Sequence, residues 1–251
     1  VMRTPERFFD FNAYKQADMI IKSALKLVSD AYSPSILTLS TFESGTRAEE
    51  STQRAAEFAR NRDINPFIDL YEKVLLPSES WENYNLVGIS IVGISQILPG
   101  LTLARLLKEK YPHLHITLGG PIFSVNANQL VDHPKFFKEF CHSIVTFEGE
   151  EPLHRLLTTL KNGSTLKDVP NLLFYEDGKV ELNEERVELR FEEMPPPTFD
   201  GLPMDLYLSP YPILPVLQSR GCYWGKCTFC THSFIYGHRY GKQRTEQMVD
   251  E

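Results

Sequence analysis

Apolar positions change period several times along this chain, and each change predicts an element. Met19, Ile20, Ala24, Leu25, Leu27, Val28 and Ala31 recur at helical spacing over 12–32, and Pro34 closes the run. That spacing predicts a helix packed on the next domain. Residues 36–41 alternate as a strand, and 46–60 return to a helical period. The short apolar run at 86–92 predicts a buried strand. A helix follows at 99–111, with Pro99 near its first turn. Further on come a strand at 115–118 closed by Gly119-Gly120-Pro121, a short helix at 135–140, a strand at 143–147 and a helix at 151–160.

Strands alternating with helices predict an α/β fold with a doubly wound parallel sheet of Rossmann or flavodoxin type. Such sheets bind ligands beyond the carboxyl ends of their strands. Here those ends are 90–95, 119–121 and 148–150. The pattern then shifts. Residues 171–183 read as a hairpin about the turn Asp177-Gly178. Pro195-Pro196-Pro197 makes a stiff, extended connector, and the charged run at 184–193 reads as solvated linker. The expected organisation is a helical lead-in at 1–33, an α/β domain at 34–165, a hairpin and proline-rich linker at 166–205, and a further unit at 206–251. In that last unit, 213–217 reads as a strand aimed at a cysteine loop, and 245–251 as the start of a helix.

Composition narrows the class. The chain has 251 residues, 42% hydrophobic and 24% charged, room for one large domain or two modest ones. A net charge of -7 without any Lys/Arg-rich run argues against a nucleic-acid surface. Residues 83–104 carry no charge and are long enough to span a bilayer. Their asparagines, glycines and Pro99 fit a buried strand, a loop and a helix start better. No signal-peptide pattern is present, so the expected compartment is the cytoplasm, where a disulfide framework is not expected.

The candidate chemistry lies in Arg220-Gly221-Cys222-Tyr223-Trp224-Gly225-Lys226-Cys227-Thr228-Phe229-Cys230, which holds three of the four cysteines. Thiolates this close make a soft, polydentate metal site, and three ligands leave one coordination position open. Structural zinc is the rival, because His232 would complete a Cys3His tetrahedron. Against zinc, the loop follows a predicted strand, as a βα loop does on the active face of an α/β barrel. Gly221 and Gly225 let backbone approach a bulky group, and Tyr223, Trp224 and Phe229 would shield it from water. Cys141 has no partner in the pattern. Surface or packing roles are expected for His113, His115, His133, His142 and His154.

Ser219 to Cys230, with 236–244, resembles the cluster loop of radical S-adenosylmethionine enzymes. The family's usual spacing is Cys-x3-Cys-x2-Cys, and this chain has one residue more between its first two cysteines. The resemblance implies that Cys222, Cys227 and Cys230 bind three irons of a 4Fe–4S cluster. S-adenosylmethionine would bind the fourth iron, with Phe229 beside the adenine. Residues 34–163 resemble the cobalamin-binding domain that precedes the barrel in one subgroup. The carriers are Val87-Gly88-Ile89-Ser90, Thr117-Leu118-Gly119-Gly120-Pro121 and Val145-Thr146-Phe147-Glu148-Gly149-Glu150. The implied cobalamin contacts are Ser90, Ser95, Gly119, Gly120, Pro121, Glu148 and Gly149. The Asp-x-His-x-x-Gly motif of other cobalamin domains is replaced by Phe42-Glu43-Ser44-Gly45-Thr46-Arg47. Either the lower face of a cobalamin has no histidine ligand here, or the domain is a scaffold without the cofactor.

The resemblance implies the N-terminal part of a cobalamin-dependent radical S-adenosylmethionine enzyme, a methyltransferase acting through a 5′-deoxyadenosyl radical. One alternative is a radical enzyme of another reaction type (rearrangement, cyclisation or sulfur insertion) with a vestigial cobalamin domain. The other is a non-enzymatic zinc- or cobalamin-binding module. Residues 206–251 are too few for a barrel, so the chain is expected to be a fragment without turnover of its own. The expected partners are small-molecule cofactors, and nothing in the sequence names the substrate.

Overall fold

Two helices and a short ribbon precede the main sheet. α1 (Pro5–Phe8) leads into α2 (Phe11–Ala31), where Asp10 caps the helix by accepting the Ala13 amide at 2.7 Å. The computed structural model describes residues 1–183, 185–187, 190–191 and 194–243. β1 (Ile36–Leu37) pairs antiparallel with β2 (Phe42–Glu43), so the strand expected over 36–41 doubles back on itself. The Thr38 hydroxyl makes the reversal by accepting the amides of Ser40 and Thr41 at 3.2 and 2.9 Å. α2 packs on β1, the first strand of the next domain, by a partly buried face. None of its residues is buried, and Phe11, Met19, Ile20 and Leu27 are exposed. Its last turns meet the ribbon, with the Leu37 amide donating to Ser29 Oγ at 2.9 Å.

α3 (Thr52–Arg60), α4 (Pro66–Leu70) and α5 (Leu76–Ser78) lead to the sheet proper. Its parallel part is β3 (Leu86–Ser90), β4 (His115–Gly119) and β5 (Ser143–Val145), with pairs such as Gly88 to Thr117 and Leu118 to Ile144. α6 (Ile97–Lys110) joins β3 to β4. α7 (Pro121–Val125), α8 (Ala127–Leu130) and α9 (Pro134–Phe140) join β4 to β5. α10 (Glu150–Asn162) then leads to β6 (Leu172–Glu176) and β7 (Lys179–Leu182). β6 pairs antiparallel with both β5 and β7, giving one five-stranded mixed sheet in the order β3-β4-β5-β6-β7.

The fully parallel sheet expected from the sequence is therefore corrected to a mixed one. The hairpin taken for linker is its antiparallel edge. The turn itself was legible: Asp177 and Gly178 both have positive φ, at 49° and 87°, as a two-residue hairpin turn requires. What the local pattern missed is that both faces of the hairpin are buried. Leu173 joins Val87, Ile89, Ile116, Leu118 and Ile144 in the core that includes residues of α6 and α9. Leu172 and Phe174 join Leu86, Val145 and Leu156 on the face of α10. Helices thus cover both faces, with side chains alternating between them along each strand.

Residues 213–217 form no strand and are exposed, because no described segment lies alongside to complete a ladder. The ordered element comes slightly later. β8 (Ser219–Gly221) pairs antiparallel with β9 (Tyr240–Lys242), and α11 (His232–Ile235) lies between them. The charged run at 184–193 falls partly, and the helix start at 245–251 wholly, outside the described residues. Among the described residues, no helix is long and apolar enough to cross a membrane.

Candidate functional site

The carboxyl ends of β3, β4 and β5 open onto a cleft of about 420 Å³ on the α10 face of the sheet. Ser90, Gly119, Gly120, Phe147, Gly149 and Glu150 line its rim. Four of the expected cofactor contacts are therefore brought together, Ser90, Gly119, Gly120 and Gly149. Ser95, Pro121 and Glu148 are not among the lining residues. Ser95 sits in a short 3-10 turn, and Pro121 begins α7. The two glycines differ in what they do. Gly120 has φ +121°, and a Cβ there would lie 2.0 Å from the Ile91 carbonyl oxygen. A Cβ on Gly119 would make only an ordinary contact, 3.7 Å from the Val145 carbonyl oxygen. Gly120 thus serves the meeting of two loops of the protein itself. The Ile91 amide seals that meeting by donating to the Gly119 carbonyl at 2.8 Å.

The cysteine loop springs from the β8–β9 ribbon. Gly221 has φ +85°, and a Cβ on it would fall 2.0 Å from the Arg239 carbonyl oxygen, so the ribbon closes only around glycine. The Cys222 amide donates to that same carbonyl at 3.2 Å. Cys222 Sγ accepts the Gly225 amide at 3.4 Å. The Gly225 and Trp224 amides, with help from the Ser233 hydroxyl, hold its thiol below the usual cysteine range. Cys227 and Cys230 are exposed, and all four cysteines are free. Three soft donors, none consumed in a disulfide, fit an iron–sulfur cluster by their chemistry. Yet no group of three or more His, Cys, Asp or Glu side chains among the described residues is placed to hold a metal ion. The loop presents three thiols without gathering them.

Its aromatic residues do not shield it. Tyr223, Trp224 and Phe229 are all exposed, Phe229 at 89%. His232 does not complete a tetrahedron; its Nε2 lies 3.2 Å from the Gly221 carbonyl oxygen.

Glu148 connects the two halves of the site. Its side chain is only 5% exposed and faces the cysteine segment. Arg239 Nη2 pairs with its Oε2 at 2.6 Å, and Arg220 Nη1 with its Oε1 at 3.3 Å. Arg220 Nη2 also reaches Glu150 Oε1 at 2.7 Å. Beside them Phe147 has φ 59°, its amide donates to Ser124 Oγ at 2.7 Å, and its ring centroid lies 5.6 Å from that of Phe234. Sequence reasoning missed Arg220, Arg239 and Phe147 as partners of this loop. The available signal was the Arg-Gly-Cys entry together with the acidic strand-end loop at 148–150.

Two of the histidines expected to be bland form a packed pair near the amino end of the sheet. The His115 and His142 rings lie 5.1 Å apart. His115 Nε2 meets Ser143 Oγ at 2.8 Å, and His142 Nδ1 accepts the Ile116 amide at 2.9 Å, which it can do only while unprotonated. Burial, with further contributions from His142 and Lys108, lowers the His115 pKa to about 4. Burial and Lys108 lower that of His142 to about 4 as well. The unfolded chain binds these protons near the ordinary histidine value and the native one does not. Stability from this pair is therefore fully present above about pH 6.5 and is lost as pH falls toward 4. Urea unfolding from pH 7 to 4.5 should show a loss of about 2–3 kcal/mol for each histidine that is absent in His115→Gln/His142→Gln. An equal loss in that variant would remove the pair as its source.

Fold and site together define a mixed α/β sheet with an open cleft and a three-thiol loop seated at its carboxyl edge. No family model matches the sequence. The chain is similar to an uncharacterized methyltransferase of Pyrococcus horikoshii, 29% identical over 172 residues that cover 66% of this chain and 36% of that protein. It is also similar to the hopanoid C-3 methylase of Methylococcus capsulatus, 26% identical over 215 residues that cover 80% of this chain and 38% of that protein. Both relatives are methyltransferases by name, and the chain spans little more than a third of either. Among solved structures it resembles the radical S-adenosylmethionine methyltransferase TsrM of Kitasatospora setae. One structure, with tryptophan substrate and a SAM analog bound, gives a TM-score of 0.48 at 18% identity over 75% of this chain and 38% of that one. Another, with cobalamin and a [4Fe-4S] cluster bound, gives 0.45 at 19% identity over 91% of this chain and 42% of that one.

Proposed function

We propose that this chain is the N-terminal part of a cobalamin-dependent radical S-adenosylmethionine methyltransferase. The observation that carries the reading is the seating of the three-cysteine loop, through Glu148, beside the cleft at the carboxyl edge of the sheet. Similarity to two proteins named as methyltransferases supports the reaction class. When bound, the cluster, S-adenosylmethionine and cobalamin together supply the radical and methyl-transfer chemistry. Cys222, Cys227 and Cys230 would hold three irons, and the amides around Cys222 lower its thiol from the usual range. Phe229, exposed here, is free to lie along an adenine. Ser90, Gly119, Gly120 and Gly149 would hold cobalamin in the cleft, with Ser95, Pro121 and Glu148 behind its rim. No histidine stands at 42–47 to reach the lower face of the corrin.

Anaerobic reconstitution with iron and sulfide tests this directly. The expected result is about four irons per chain, with a cluster spectrum that changes on adding S-adenosylmethionine. Titration with hydroxocobalamin should show saturable binding. Tight zinc uptake with no iron would refute it and favour the zinc-binding alternative.

A further inference from the structure

The loop after β5 faces two ways. Phe147, Gly149 and Glu150 line the cleft, while the carboxylate of Glu148 turns into the stem of the cysteine loop. The left-handed backbone of Phe147, at φ 59°, makes the reversal possible and is disfavoured for a residue with a Cβ. Three contacts hold it there: the Phe147 amide on Ser124 Oγ at 2.7 Å, the ring against Phe234, and the Arg186 guanidinium 3.9 Å over the ring. Arg220 lies in β8, two residues before Cys222. Arg239 directly precedes β9, and its carbonyl receives the Cys222 amide at 3.2 Å. The two arginines that grip Glu148 are thus the two sides of the stem from which Cys222 projects.

We propose that Glu148 is a positioning residue that sets the place of the three-cysteine loop relative to the cleft. This deepens the functional reading and rests on it only for the identity of the groups held. The physical basis is directional. Apolar contacts such as Phe147 with Phe234 tolerate sliding. A carboxylate shared between two guanidinium groups at 2.6 and 3.3 Å does not, and charge-assisted pairs are the strong, oriented ones. At 5% exposure solvent screens it little, and losing the charge would leave both arginines without this partner. Glu150, on the cleft rim, takes the second nitrogen of Arg220 at 2.7 Å. Arg220 thus ties the rim of the cleft to the stem of the loop.

Hydrogen–deuterium exchange on the full-length protein, without added metal, tests the seating. Glu148→Gln keeps the shape and removes the charge. Exchange over 219–242 should accelerate about tenfold or more, while 86–119 stays unchanged. Glu148→Asp, which keeps the charge, should recover part of the protection. Should Glu148→Gln fail to fold, Arg239→Gln alters the more open partner, whose side chain is 36% exposed. In iron-loaded protein reduced with dithionite, the EPR line shape should shift in Glu148→Gln and return toward wild type in Glu148→Asp. Unchanged exchange over 219–242 overturns the proposal, since a merely space-filling residue leaves an isosteric glutamine silent. Faster exchange with an unmoved EPR spectrum also overturns it, by confining Glu148 to a structural role. Failure to take up iron refutes the functional reading alone, because the exchange comparison needs no metal.

Discussion

Gly120→Ala is expected to cost about 4 kcal/mol of folding stability, from backbone strain and a steric clash together. Gly120 holds φ +121° and ψ 165°, a region open to glycine and almost no other residue. Forcing a side chain there costs about 1–3 kcal/mol. A Cβ would also sit 2.0 Å from the Ile91 carbonyl oxygen. That neighbour is backbone, fixed by the Ile91 amide on the Gly119 carbonyl at 2.8 Å, so it cannot rotate away as a side chain would. Relief requires the loops after β3 and β4 to part, and the cleft rim goes with them. A loss of this size is a large share of the roughly 5–15 kcal/mol that holds a domain together. Gly119→Ala is the control, because its Cβ would meet only an ordinary 3.7 Å contact. It should cost about 1 kcal/mol or less. Urea denaturation followed by circular dichroism separates the two, and equal losses would show that the Ile91 contact is not what Gly120 serves.

The second large effect is on metal content with little effect on folding. Cys222→Ser/Cys227→Ser/Cys230→Ser should reduce iron after anaerobic reconstitution from about four per chain to near zero. Cys227 and Cys230 are exposed and pack against little, so their loss should move stability by no more than about 0.5 kcal/mol. Serine at 222 keeps an acceptor for the Gly225 amide. Cys141→Ser is the mirror case. Cys141 is fully buried, and burial pushes its thiol up, so it stays protonated and is no ligand. A hydroxyl in its place should cost about 1–3 kcal/mol and leave iron unchanged. Iron retained by the triple variant would place the metal elsewhere.

The contrast between those two groups of cysteines was legible in the sequence, since only one group is clustered. Much of the fold was legible too. β3, α6, β4, α9, β5 and α10 lie close to where hydrophobic period and glycine–proline punctuation put them. These elements have short-range causes: an apolar face, a cap, a turn residue. The failures share another cause. The strand at 36–41 split because the Thr38 hydroxyl turned the chain, a local competition that alternation alone does not record. The strand at 213–217 is missing because strands need a neighbour, and its apolar pattern says nothing about who that is. The hairpin at 172–182 was recognised as a hairpin and misplaced as linker, since nothing local says which sheet an edge will join.

For the site, the residue types and their spacing were enough to single out the thiols of Cys222, Cys227 and Cys230 and the strand-end loops at 90, 119 and 149. Those follow from chemistry that a short segment carries by itself. Tertiary structure alone decided the roles of Gly120 and Glu148. Gly120 answers to the Ile91 backbone, 29 residues earlier, and Glu148 to Arg220 and Arg239, 72 and 91 residues later. A close backbone approach and a buried ion pair are properties of two distant segments at once, and no window of sequence contains both.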